Sequence, residues 1–187
     1  MKLGIFGGTF DPVHSAHIAI AETARDKFAL DRVLVIPAAN PPHKAGATAD
    51  YEHRYRMVEL ACAGKRALEP SRLEEGTERS YSIHTIERVR AEVGSDWDLF
   101  FVIGADAFAE ITSWHRWRDV VASVEFVVVT RPLAQFVVPE GSRVHMLEDL
   151  LLPVSSSELR ATLAAGQRPE ALPATVYDYI LEHHLYE

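Results

Sequence analysis

Short unbroken runs of apolar residues alternate along this chain with stretches whose apolar positions recur at helical spacing. Lys2 to Gly7 reads as a short strand ending in glycines, and His14 to Phe28 as a helix carrying Ile18, Ile20 and Ala24. In Arg32 to Pro37 the run Val33, Leu34, Val35, Ile36 has no polar alternation, which is the pattern of a strand buried on both faces. Strand, helix and strand make a βαβ unit, for which a right-handed crossover is the strong default. A loop rich in Pro, Ala and Gly follows from Ala38 to Asp50. Helices are then expected over Tyr51 to Ala63 and Ser82 to Val93, the second capped near Ser80 or Ser82. Trp97 to Ile103 and Glu125 to Thr130 read as further buried strands, with a short last one at Val144 to Leu147. The end of the chain is helical. Ser156 to Ala165 stops before Gly166, a usual helix-ending residue, and Pro173 opens a helix reaching His184.

This alternation predicts an α/β fold: a Rossmann-like, doubly wound, mostly parallel sheet with helices on both faces. With no repeat and no long linker, residues 1–187 are expected to form a single domain with a C-terminal helical portion from about residue 155. Ligands of such sheets sit beyond the carboxyl ends of the strands. The loops after Ile5, Ile36, Ile103 and Val129 are therefore where chemistry is expected.

Composition narrows the partners. A net charge of −8 argues against broad binding of a nucleic-acid backbone, which needs a basic surface. A small phosphate ligand needs only a few local cations. No apolar run approaches the ~20 residues of a membrane-spanning helix, and the chain reaches Gly7-Gly8 before a signal-peptide core could form. The expectation is a cytoplasmic protein with no membrane and no nucleic-acid partner; a homo-oligomer is left open. The single Cys62 lies among Met57, Val58, Leu60 and Ala61, which points to core packing rather than catalysis.

The first loop carries the densest chemistry: Gly7-Gly8-Thr9-Phe10-Asp11-Pro12-Val13-His14-Ser15-Ala16-His17. Glycines let a backbone approach a ligand closely, and the helix that follows offers unpaired N–H groups to phosphate. His14 and His17, three residues apart, share one side of that helix start and can donate to phosphoryl oxygens. The string is not the dinucleotide fingerprint G-x-G-x-x-G, and two histidines without a third ligand make a poor zinc site. His43 and Lys44 sit in the Pro-rich loop, where they could close over phosphates. Ser155, Ser156, Ser157 and Arg160 combine hydroxyls, helix-start amides and a forked cation, a good anion cradle. Arg131 follows a buried strand toward the ligand edge, and Asp106 after Gly104 could accept from a ribose hydroxyl or cap a helix. Trp114 and Trp117 read as core or as a stacking wall.

In their order, these blocks resemble a known family. The first loop is similar to that of adenylyltransferases with an H-x-G-H signature. Pro41-Pro42-His43-Lys44, Tyr81-Ser82-Ile83-His84-Thr85-Ile86, Phe101 to Asp106, Trp114-His115-Arg116-Trp117, Thr130-Arg131-Pro132 and Val154 to Arg160 extend the likeness over nearly the whole chain, as does Val176 to Ile180. Together they resemble the bacterial nicotinate-nucleotide adenylyltransferases. Two positions depart from the pattern: Ala16 stands where the family usually has Gly, and His84 where it often has Asp.

The resemblance implies AMP transfer from ATP to nicotinate mononucleotide, giving deamido-NAD and pyrophosphate, with Mg²⁺ arriving on ATP. It implies His14 and His17 as catalytic, and Gly7, Gly8, Thr9, Phe10, His17, His43, Lys44, Gly104, Asp106, Arg131, Ser155, Ser156, Ser157 and Arg160 around ATP. Thr85, Ile86, Trp117 and Arg118 would meet the acceptor, with Trp117 as the platform under its ring. The chemistry suits the residues, because a phosphate monoester is already mostly dianionic at pH 7 and needs no general base. Positioning and charge stabilisation then suffice. Nicotinamide mononucleotide or phosphopantetheine are alternative acceptors. A non-catalytic nucleotide sensor is the rival from another class, since fold does not imply function.

Overall fold

The computed structural model describes residues 1–40, 47–76, 79–130, 136–148, 150 and 154–187. Its sheet has six strands: β1 (Lys2–Gly8), β2 (Arg32–Pro37), β3 (Leu68–Pro70), β4 (Asp98–Gly104), β5 (Glu125–Val129) and β6 (Arg143–Leu147). All five pairings are parallel, in the order β3-β2-β1-β4-β5-β6. The order reverses between β1 and β4, which is where a doubly wound sheet opens a crevice at its carboxyl edge. Among the described residues, five helices lie between strands, α1 (Ser15–Phe28), α2 (Tyr51–Cys62), α3 (Ser82–Val93), α4 (Ala105–Ala109) and α5 (Trp117–Ser123), and two follow the last strand, α6 (Ser156–Ala164) and α7 (Ala174–Glu182).

The strands' apolar runs are divided between two cores. Phe6, Val33, Val35, Phe100, Val102 and Val127 face one side, with α1, α2, α6 and α7. Leu3, Ile5, Leu34, Ile36, Phe101, Ile103, Phe126 and Val128 face the other, with α3 and α5. Successive strand residues point to opposite faces, so a strand covered by helices on both sides must be apolar throughout. Cys62 is in the first core, and burial pushes its thiol up to about 12, so it is an inert packing group.

The pattern reading missed three short elements, β3, α4 and α5. Each spans seven residues or fewer, too short for a periodic signal to rise above its surroundings. Two caps also differ from expectation. Tyr81, not a serine, is the N-cap of α3; Ser80 instead bonds Asn40, through both its N–H and its Oγ. Pro173 is the N-cap of α7 rather than its first helical residue. Among the described residues no helix is long and apolar enough to cross a membrane.

Candidate active site

Two cavities open at the carboxyl edge where β1 meets β4. The larger, about 780 Å³, is lined by Gly7, Gly8, Thr9, Phe10, His14, His17, Gly104, Asp106, Ser155, Ser156, Ser157 and Arg160, among others. All the nucleotide-side residues expected from sequence are in that wall except His43, Lys44 and Arg131, which lie outside the described residues. The smaller, about 340 Å³, shares Phe6, Gly7, Gly8, Thr9 and Gly104 with the first. The two spaces therefore meet over the end of β1.

The two glycines of this edge act differently. A Cβ on Gly7 would meet nothing within 4 Å, so the missing side chain leaves cavity space for a ligand. A Cβ on Gly8 would press within 2.9 Å of the Phe10 ring, so Gly8 is small to let Phe10 fold back. Phe10 sits at φ 50, an unusual value for a bulky residue, and is held there by edge-on packing against Phe6 and His17. Its ring in turn props His17.

The two histidines stack with ring centroids 3.7 Å apart. His14 is the N-cap of α1, and its backbone N–H donates to His17 Nδ1 at 3.3 Å. Accepting at Nδ1 requires His17 to carry its proton on Nε2, which fixes the donor nitrogen. His14 is buried, and burial pushes its pKa down to about 4, so it is neutral at working pH. Its Nδ1 is buried without a hydrogen-bond partner. Nε2 is then the nitrogen left to reach the cavity.

Beneath the loop lies a buried charge network that sequence reasoning did not single out. Asp11 accepts the Thr48 and Ala49 N–H groups at 2.7 and 3.1 Å, and the Tyr186 hydroxyl at 2.7 Å. Arg54, 2% exposed, donates to the carbonyls of Thr9, Ala38 and Ala49 at 2.7–3.0 Å and of Ala39 at 3.4 Å. One guanidinium thus knits the ends of β1 and β2 to the start of α2. An arginine inside a helix otherwise apolar on that face was the available signal.

The serine-rich segment is more occupied than expected. Ser155 caps α6 by accepting the Glu158 N–H at 3.2 Å. The Ser156 hydroxyl donates to the Pro12 carbonyl at 3.1 Å, so its proton fastens the loop while the residue stays in the cavity wall. Arg160 Nη1 donates to the Asp11 carbonyl at 2.7 Å, and Nη2 reaches Ser157 Oγ at 3.4 Å. Asp106 is exposed in the first turn of α4.

The smaller cavity is walled by Tyr81, Ser82, Thr85, Trp114 and His115, with Glu74 and Glu110. Thr85 is in the wall, its hydroxyl donating to Glu74. Ile86 is a core side chain, 2% exposed. Trp117 packs against the second core and carries Arg118 at 4.4 Å over its ring, and neither is in the described wall. Arg116, at φ 52, turns the chain into α5 there, so Trp114 and His115 face the cavity and Trp117 follows the helix. His84 packs edge-on against Tyr81 and His115 at the rim. Ala16 is buried in the larger cavity's wall.

Comparison with known proteins agrees with this geometry. Residues 5–162 match the family model described as cytidylyltransferase-like. Over the whole of both chains the sequence is 58% identical to a protein of Solibacter usitatus named "Probable nicotinate-nucleotide adenylyltransferase". It is 40% identical to proteins of the same name from Pelobacter propionicus (100% of this chain, 98% of the other) and Bordetella pertussis (99% and 98%). The fold is similar to that of Plasmodium falciparum nicotinic acid mononucleotide adenylyltransferase complexed with NaAD, at TM-score 0.81 and 20% identity, covering 99% of this chain and 97% of that one. Identity at this level over full length settles membership: the chain belongs to the nicotinate-nucleotide adenylyltransferases, nucleotidyltransferases of NAD biosynthesis.

Proposed function

We propose that the larger cavity holds ATP and the smaller one nicotinate mononucleotide, and that AMP passes between them over Gly7, Gly8 and Thr9. The observation that carries this reading is the shared wall: one backbone edge borders both spaces. Their volumes lie within the usual range of small-molecule sites.

The acceptor's phosphate oxygen attacks the α-phosphorus of ATP. A new P–O bond forms there, the bond to the β-phosphate bridging oxygen breaks, and pyrophosphate leaves with that oxygen. No protein base is required, because the attacking phosphate is mostly dianionic at neutral pH. His17, protonated on Nε2, donates to a phosphoryl oxygen as charge builds, and neutral His14 does the same from Nε2. Arg160 neutralises part of the triphosphate, joined by Lys44, Arg131 and His43. Asp106 accepts from the ribose. Among the described residues no group of three His, Cys, Asp or Glu could hold a metal ion. Mg²⁺ would enter as part of its ATP complex and would offset charge on the leaving pyrophosphate.

On the acceptor side, the start of α3 at Ser82, in the cavity wall, would supply backbone N–H donors for the pyridine substituent, joined by the start of α5 near Arg118 if the substituent reaches beyond that wall. Tyr81, Trp114 and His115 border the ring, with Trp114 taking the place expected for Trp117. We place the enzyme in the cytoplasm, acting on free nucleotides.

Pyrophosphate release tests the assignment. ATP with nicotinate mononucleotide, nicotinamide mononucleotide or phosphopantetheine is supplied in turn. Release is expected to be fastest with nicotinate mononucleotide. Binding of ATP without release for any of the three would favour a sensor instead.

A further inference from the structure

Among the described residues, four hydrogen bonds that tie the histidine loop to the C-terminal helical portion join residues far apart in sequence. Ser156 donates to Pro12, Arg160 to Asp11, and the Ser15 N–H to Ala171. The fourth comes from the penultimate residue: Tyr186 Oη donates to Asp11 Oδ1 at 2.7 Å, across 175 positions of sequence. Both partners are buried, Asp11 at 4% exposure and Tyr186 at 9%.

Asp11 is the junction. Its side chain takes Tyr186, Thr48 and Ala49, while its backbone carbonyl takes Arg160. A carboxylate held on three sides fixes the peptide that carries it, and that peptide's carbonyl aims the Arg160 guanidinium into the nucleotide cavity. We infer that Tyr186 is a positioning residue for adenylyl transfer, acting through Asp11 on Arg160. The inference rests on the assignment of Arg160 to ATP made above. Burial and the Asp11 carboxylate together hold the Tyr186 hydroxyl protonated far above its ordinary range, so it is a donor at every working pH. A ring meant only to fill space would need no hydroxyl, and Phe would serve.

Tyr186→Phe keeps the ring in the core and removes only the donor. The expected result is a 3- to 10-fold fall in kcat/KM for ATP, with KM for the acceptor within 2-fold of wild type. Tyr186→Leu, which also lacks the hydroxyl, should show the same ATP-side loss. Leu185→Ala, which thins the neighbouring packing without touching Asp11, should lower the melting temperature and leave kcat/KM for ATP unchanged. Arg160→Ala is measured alongside. If Arg160→Ala impairs ATP use while Tyr186→Phe and Tyr186→Leu lose only melting temperature, Tyr186 is packing and the inference falls alone. If Arg160→Ala also leaves ATP use intact, the assignment of Arg160 falls and takes the inference with it.

Discussion

The His14 backbone N–H donates to His17 Nδ1 while the two imidazoles lie stacked 3.7 Å apart, so one residue of the pair sets the tautomer of the other. His17 is thereby prepared as a donor before substrate arrives. Preorganised donors are the groups whose loss is felt in turnover rather than binding. His17→Ala is expected to lower kcat by ~10²–10³ with the fold intact. Steady-state kinetics with circular dichroism checks this; retention of more than about a third of wild-type kcat, far above that range, would remove His17 from the mechanism.

His14 makes stability depend on pH in a defined window. Its folded pKa is about 4 against 6.5 for the free side chain, with burial as the cause. Above pH 6.5 neither folded nor unfolded chain protonates it, and it contributes no pH dependence. Below 6.5 the unfolded chain takes up a proton that the folded chain refuses, so stability falls as pH drops toward 4 and levels off beneath it. The full effect is on the order of 3 kcal/mol. Urea unfolding at a series of pH values should show that fall in wild type and a shallower one in His14→Asn. Parallel curves for the two proteins would contradict it.

Arg160→Ala should raise KM for ATP more than KM for the acceptor, since Arg160 lines the larger cavity only. Measuring both constants decides it. A change confined to the acceptor would move Arg160 to the other half of the site.

Arg54→Ala should destabilise by about 2–4 kcal/mol, because four buried or half-buried carbonyls lose their donor at once. Arg54→Lys should recover only part of this, as an ammonium cannot spread over the arc that the guanidinium covers. Denaturant midpoints for the three proteins give the answer; an alanine variant as stable as wild type would show that water replaces the network.

The enzyme should prefer nicotinate over nicotinamide mononucleotide by at least ~10-fold in kcat/KM. Backbone N–H groups at a helix start are donors only, and a carboxylate satisfies them with either oxygen. A carboxamide must turn its NH₂ toward one of them, at a cost of roughly 1–3 kcal/mol. Competition between the two acceptors reads the ratio directly, and equal values would sink the acceptor assignment.

The sequence by itself determined the fold class and pointed to the described residues that line the larger cavity. Apolar runs too short for a helix, alternating with helical stretches, read as strands covered on both faces, and the loops that follow such strands at the carboxyl edge carry the glycines, histidines and serines. Those groups are local: His14 and His17 sit within one helical turn, and their stacking follows from spacing. Tertiary structure alone decided the rest. That Gly8 serves Phe10 while Gly7 serves a ligand depends on which way each absent Cβ would point. That Ser156 is spent on Pro12, and that Trp114 rather than Trp117 faces the smaller cavity, depends on where α6 and α5 dock. Asp11 and Tyr186 carry no periodic signal of their own, and Arg54 only that of a cation on an otherwise apolar helix face, because their partners are set by chain crossings of up to 175 residues, which no local pattern encodes.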